Sequence, residues 1–136
     1  MAESPNFDPN LPISNYRVSP SRFTDIFKGL DTENKYIVDD FTFQTDDGYN
    51  LVCFRINLKK GLKEKIKDKK HIDKPLLLLH GFTGSSISFI SNKNAFIFNL
   101  LDKGFDVWLG NQRGNVFNYS HKNPNIKNSV REFLWQ

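Results

Sequence analysis

Two glycine-bearing stretches hold the residue types that could meet a ligand oxygen. One is Leu79-His80-Gly81-Phe82-Thr83-Gly84-Ser85, and the other is Trp108-Leu109-Gly110-Asn111-Gln112-Arg113-Gly114-Asn115. Each follows a short apolar run, and in open α/β sheets ligands sit beyond the carboxyl ends of the strands. Glycine there lets the backbone turn sharply and leaves amide hydrogens free to point at an oxygen. A serine nucleophile is not part of either stretch. Its elbow needs Gly-x-Ser-x-Gly, and the glycines at that spacing, Gly110 and Gly114, enclose Gln112. Ser85, Ser86 and Ser88 follow the first turn, where capping of the next helix is expected to occupy at least one of them. His71 and His121 lie in polar loops and read as solvated or packing groups. Cys53, the single cysteine, sits in an alternating strand pattern as a buried or half-buried thiol and has no internal disulfide partner.

The elements that position these residues follow from periodicity. Phe23, Ile26, Phe27 and Leu30 fall at helical spacing, with Gly29 near the expected stop. Residues 37–45, then Asp46-Asp47-Gly48, then 51–58 with Val52, Phe54, Ile56 and Leu58 on one face predict a β-hairpin. The run Leu76 to Leu79 reads as a strand buried on both faces, as in a parallel sheet covered by helices. Ala95, Phe96, Phe98, Leu100 and Leu101 predict a helix closed by Lys103-Gly104, and Phe105 to Leu109 a further strand, which together make a βαβ unit with a right-handed crossover. A polar loop follows, and Val130, Phe133 and Leu134 begin another helix. Residues 1–22, rich in Pro, Asn and Ser, read as an extended arm.

The chain has 136 residues, a net charge of +4 and thirteen phenylalanines, which suits one globular domain. Most of the excess charge lies between Lys59 and Lys74, where eight lysines face Glu64, Asp68 and Asp73. The plain expectation there is a solvated connection, and the sharper one a patch for anionic lipid or nucleic acid. The plain one is adopted. No basic-then-apolar leader pattern opens the chain and no run has the length of a membrane span, so the default expectation is a soluble, cytoplasmic protein. Phosphate loops, dinucleotide fingerprints, His-Glu-x-x-His and paired cysteines do not occur, so neither a cofactor nor a metal is expected.

The order of a hairpin carrying Thr45-Asp46-Asp47-Gly48-Tyr49 and Arg55-Ile56, then Leu79-His80-Gly81, then Gly84-Ser85-Ser86, then Gly104-Phe105-Asp106-Val107-Trp108-Leu109-Gly110-Asn111 with Arg113-Gly114-Asn115, resembles the acid lipase family that includes gastric and lysosomal acid lipases. The likeness runs from about Tyr36 to Gln136. It implies an α/β-hydrolase that cleaves carboxylic esters of lipids with a Ser-His-Asp triad, all three members falling beyond Gln136. It also implies that the residue after His-Gly gives a backbone N–H to the oxyanion hole, a role that maps onto Phe82. Family members usually carry Leu there, an exchange that a backbone donor tolerates. His80 and Gly81 then form the strand-end motif supporting that donor, and Asn111, Arg113 and Asn115 are expected to fix the second loop by hydrogen bonds, with substrate contact as the lesser alternative.

The fold implied is α/β: an incomplete α/β-hydrolase, with an N-terminal arm and helix over 1–35, then a β-hairpin and βαβ unit over 36–136 in a mostly parallel sheet that stops before the nucleophile strand. The Leu76 to Leu79 strand would then lack its far neighbour, and self-association through that edge is expected. The partner of a full-length enzyme would be a lipid ester, with peripheral membrane contact through Lys59 to Lys74 as a further expectation and nucleic acid not expected. Family relatives are commonly secreted or lysosomal. The rival expectation is a short, non-catalytic protein that binds a partner or an anionic membrane through the open edge or the lysine-rich loop.

Overall fold

The structure, a computed structural model, describes residues 17–118 and 120–123. Most of the proposed N-terminal arm and the proposed helix after Ser129 lie outside them. The first element is α1 (Pro20–Leu30). It starts inside the stretch expected to be extended, because proline fits the first helical turn, where its missing N–H has no partner to lose. Phe23 and Phe27 are buried on one side of α1, and Phe23 stacks on Phe54 at a centroid distance of 3.9 Å. The helix ends at Leu30, close to the stop expected near Gly29; its cap is Asp31, whose N–H donates to the Phe27 carbonyl. The Asp31 carboxylate then accepts the N–H groups of Lys35 and Tyr36 at 2.8 and 3.0 Å, fixing the entry into the sheet.

The strands β1 (Tyr36–Gln44) and β2 (Tyr49–Leu58) form the expected antiparallel hairpin, in a register that sets Phe41 opposite Cys53. Gly48 turns the chain at φ 97°, a conformation that calls for glycine, and a Cβ there would also press on the side chains of His121 and Lys122 at 2.8 Å. After β2 the lysine-rich segment contains the short helix α2 (Lys60–Lys63) and a 3-10 turn, Lys69–His71. Its apolar minority holds it to the core: Ile66 and Ile72 lie over Gly104, where a Cβ would stand 3.1 and 3.0 Å from them. His71 stacks on Phe105 at 4.7 Å.

β3 (Pro75–Leu79) and β4 (Asp106–Gly110) pair in parallel. Between them run a 3-10 helix, Ser86–Ile90, and α3 (Phe96–Asp102), which ends at Gly104 with φ 88°. β5 (Ser120–His121), which periodicity did not suggest, pairs with the start of β2. The path through the sheet is β1-β2-β4-β3 with β5 beside β2. The class is α/β as expected, but the described sheet is mixed: β3 with β4 is the parallel pair, and the other pairings are antiparallel.

One face of the sheet carries the core. Val52, Phe54, Ile56, Leu58, Val107 and Leu109 pack with Phe23, Phe27, Ile90, Ile97 and Leu101 into one cluster. The opposite face departs from expectation. β3 is not buried on both sides, since Leu77 is 61% and Leu79 58% exposed. The helices join the cluster on the other face, and among the described residues nothing covers Leu77, Leu79, Phe41 and Phe43. In the middle of that face Arg55 grips Asp106 with two hydrogen bonds, at 2.8 and 2.9 Å, and Asn57 adds a third at 2.7 Å. Burial pushes the Asp106 carboxyl up, but these donors outweigh it and hold it below its usual range. Burial alone pushes the Cys53 thiol up.

Candidate active site

Because β3 and β4 are adjacent and parallel, their carboxyl ends open side by side, with Leu79 opposite Gly110. The two glycine-bearing stretches therefore meet. A Cβ at Gly110 would lie 2.5 Å from Leu79 Cδ2, the tip of an exposed side chain that would have to turn aside.

At the exit of β3 the chain makes a tight turn in which Gly84 N–H donates to the Gly81 carbonyl at 3.0 Å. Thr83 holds its third position at φ 63°, a left-handed conformation usual for glycine and unfavourable for a β-branched residue. Phe82 occupies the second position and is 93% exposed. Its amide N–H finds no acceptor among the described residues. His80, 7% exposed, turns back beneath the turn.

The exit of β4 is built from asparagines. Asn111 Oδ1 accepts Ser86 N–H at 3.0 Å and Asn115 Nδ2–H at 2.7 Å, while Asn111 Nδ2 donates to the Val52 carbonyl at 3.2 Å. Asn118 Oδ1 accepts Val52 N–H at 2.7 Å, and its Nδ2 donates to the carbonyls of Asn111 and Gln112 at 2.6 and 3.0 Å. Backbone partners of fixed polarity thus set both amide orientations. Two side chains complete the hydrogen bonding of Val52 after the ladder to β4 has ended at Cys53 opposite Gly110. Asn115 Oδ1 accepts Phe117 N–H at 3.0 Å.

The imidazole of His80 joins the loops. Nδ1 lies 2.8 Å from the Gly81 carbonyl, and Nε2 faces Gln112 N–H and Asn115 Nδ2, each at 3.1 Å. Nε2 receives hydrogens, so the ring proton sits on Nδ1 and is donated to Gly81. Arg113 reaches the hairpin turn instead, pairing with Asp47 at 2.9 Å with its guanidinium 4.3 Å from the Tyr49 ring centroid. The hydrogen bond from Thr45, and then the Arg113 charge, hold the Asp47 carboxyl below its usual range.

The serines depart from expectation. Neither Ser85 nor Ser86 caps a helix with its side chain: Ser85 makes no cap hydrogen bond, and the buried Ser86 hydroxyl has no partner among the described residues. The 3-10 turn they open is held by backbone, with Ser88 Oγ donating to the Ser85 carbonyl. Among the described residues no serine hydroxyl is hydrogen-bonded to a histidine, and no group of His, Cys, Asp and Glu could hold a metal ion. His121 packs edge-on against Tyr49 and bonds the Asp47 carbonyl. Cavities of about 200 and 290 Å³ flank Tyr36 near the end of α1, away from the strand ends. No helix among the described residues is long and apolar enough to cross a membrane.

Comparison with known proteins decides the family. A partial alpha/beta-hydrolase lipase region matches residues 29–93, and the alpha/beta hydrolase fold matches residues 74–136. The chain is 38% identical over 112 residues to lipase member M of Homo sapiens, covering 80% of this chain and 25% of that protein. It belongs to the acid lipase family. Other members are a putative lysosomal acid lipase/cholesteryl ester hydrolase of Crotalus adamanteus, 36% identical over 75% of this chain and 24% of its own length, and the gastric triacylglycerol lipase of Rattus norvegicus, 38% identical over 65% and 21%. The chain spans about a quarter of the length of these curated relatives. Both matched ranges, the lipase region and the hydrolase fold, include His80, Gly81 and Phe82.

Sequence reasoning missed Asn118. Nothing in spacing marks an asparagine seven residues beyond Asn111 as its hydrogen-bonding complement on Val52.

Proposed function

We propose that the protein, at the length of its relatives, hydrolyses carboxylic esters of lipids, and that this part of it supplies one donor of the oxyanion hole, the backbone N–H of Phe82. The observation that carries the proposal is that amide: held at the carboxyl end of β3 in an acid lipase, with no acceptor among the described residues. A donor fixed before the reaction stabilises charge on an ester carbonyl without reorganising, and removing one such donor lowers kcat by about 10²- to 10³-fold. The exposed Phe82 side chain has no part in this. Phe82→Pro in the natural-length protein removes the N–H and is expected to lower kcat by that factor with little change in KM. An unchanged kcat would reject the role.

One observation favours a second reading, a non-catalytic binding role through the sheet edge: β3 ends the strand order and exposes Leu77 and Leu79. The mass of the endogenous protein, detected with an antibody against Lys59 to Lys74, separates the two. A band of several tens of kDa supports the hydrolase, and a single band near 15.8 kDa supports the binding role. The lysine-rich segment precedes β3 whereas the candidate site follows it, so the two lie at opposite ends of that strand. A membrane contact through those lysines would be remote from the site.

A further inference from the structure

We infer that His80 and Asn115 are positioning residues that aim the Phe82 amide by fixing the hydrogen placement on one imidazole, an inference that rests on the oxyanion role proposed above. The geometry turns on a single peptide unit. The Gly81 carbonyl and the Phe82 N–H belong to the same plane, and in a trans peptide they point in opposite directions. Whatever fixes the carbonyl fixes the N–H.

The Gly81 oxygen is held twice, by Gly84 N–H at 3.0 Å and by His80 Nδ1 at 2.8 Å. The second hold exists only while the ring proton sits on Nδ1. Gln112 N–H and Asn115 Nδ2 impose that placement, because each presents a hydrogen to Nε2. Asn115 is itself oriented by Asn111 Oδ1, which also accepts Ser86 N–H, and by Phe117 N–H on its own Oδ1. The order of control runs from the β4 exit through the imidazole to the Gly81–Phe82 peptide. A hydrogen bond accepted by a peptide carbonyl also polarises the N–H across the plane, making it a better donor. His80 touches no reacting atom here; its effect passes through Gly81.

Activity and spectroscopy test the inference separately. In the natural-length protein, His80→Ala is expected to lower kcat by about 10- to 100-fold, the scale of a donor displaced from its productive position, with KM nearly unchanged. His80→Asn keeps an N–H donor near the position of Nδ1 and is expected to recover most of that loss; a purely space-filling role would not distinguish the two variants by kcat alone. Equal kcat in Ala and Asn variants, or a change confined to KM, overturns the inference. Phe82→Pro in parallel distinguishes the levels of argument. If it lowers kcat while His80→Ala leaves kcat unchanged, the positioning role fails and the oxyanion role stands; if it leaves kcat intact, the oxyanion role fails. Nitrogen NMR of the unmodified protein decides without reference to activity: a protonated Nδ1 and bare Nε2 on His80, with the Phe82 amide resonance moved in Asn115→Leu, are expected. A proton on Nε2 overturns the inference whatever the kinetics show.

Discussion

Asn118 Oδ1 takes the backbone N–H of Val52 at 2.7 Å, at the point where β2 has run past the end of β4. A polar side chain stands in for a strand, and the substitution is complete because Asn111 serves the Val52 carbonyl at 3.2 Å.

Replacing Asn118 with Ala should therefore be severe for a loop residue. It orphans Val52 N–H and removes the donor shared by the carbonyls of Asn111 and Gln112. A loss of about 1–3 kcal/mol for the buried orphan is expected, read as a lower urea midpoint at unchanged slope. A midpoint within error of the parent would show that water replaces the side chain freely.

Thr83→Gly should stabilise. The left-handed φ of 63° at a β-branched residue stores about 1–3 kcal/mol, and glycine relieves it while loosening the unfolded chain by about 0.4–1 kcal/mol. The net expectation is a gain of about 1 kcal/mol in thermal unfolding. A lower Tm would mean that the threonine side chain holds the turn by contacts worth more than the strain.

Asp106 predicts a pH dependence with a definite sign. Its carboxyl is held below the usual range by Arg55 and Asn57 despite burial, so its stabilising contribution is fully present above the unfolded carboxylate pKa of about 4 and is lost as pH falls through the lower folded value. In Asp106→Asn the stability should fall less steeply in that acid window than in the parent. Parallel acid limbs in the two proteins would remove Asp106 from the account.

Phe54 sits where the sheet meets α1, fully buried, stacked on Phe23 at 3.9 Å and edge-on to Phe117 at 5.2 Å. Phe54→Ala should lose about 3–5 kcal/mol, in line with other buried aromatics truncated to a methyl. A loss under about 1 kcal/mol would mean that α1 collapses into the gap.

The hairpin, the strand at Leu76 to Leu79 and α3 with its closing glycine were legible because period and punctuation agree in each: apolar alternation over 51–58, a pure apolar run after Pro75, and Gly104 at the required φ of 88°. The exposure of Leu77 and Leu79 was not, since an apolar run reports what a strand is fit to bury and not what covers it. Pro20 was misread as a mark of extended chain because proline suits both an arm and a first helical turn. At the candidate site, the two glycine-bearing loops were visible as motifs. Their joining through His80 was not, because it depends on the sheet bringing Leu79 opposite Gly110. β5 escaped notice because a two-residue strand has no period to detect.

The pairing of β5 with β2, which sets His121 against Tyr49, also orders events in time. Every residue of the polar clamp, from His80 to Asn118, lies within the loop that this pairing closes. Bringing the ends of so long a loop together carries an entropic penalty that the neighbouring strands of the hairpin escape. The hairpin, a local pairing, is therefore expected to form first, and the clamp, which joins β2 to the exits of β3 and β4, only once β4 has paired. Substitutions at His80, Asn111 or Asn118 should consequently accelerate unfolding and leave the refolding rate nearly untouched, the kinetic mark of contacts made after the barrier is crossed.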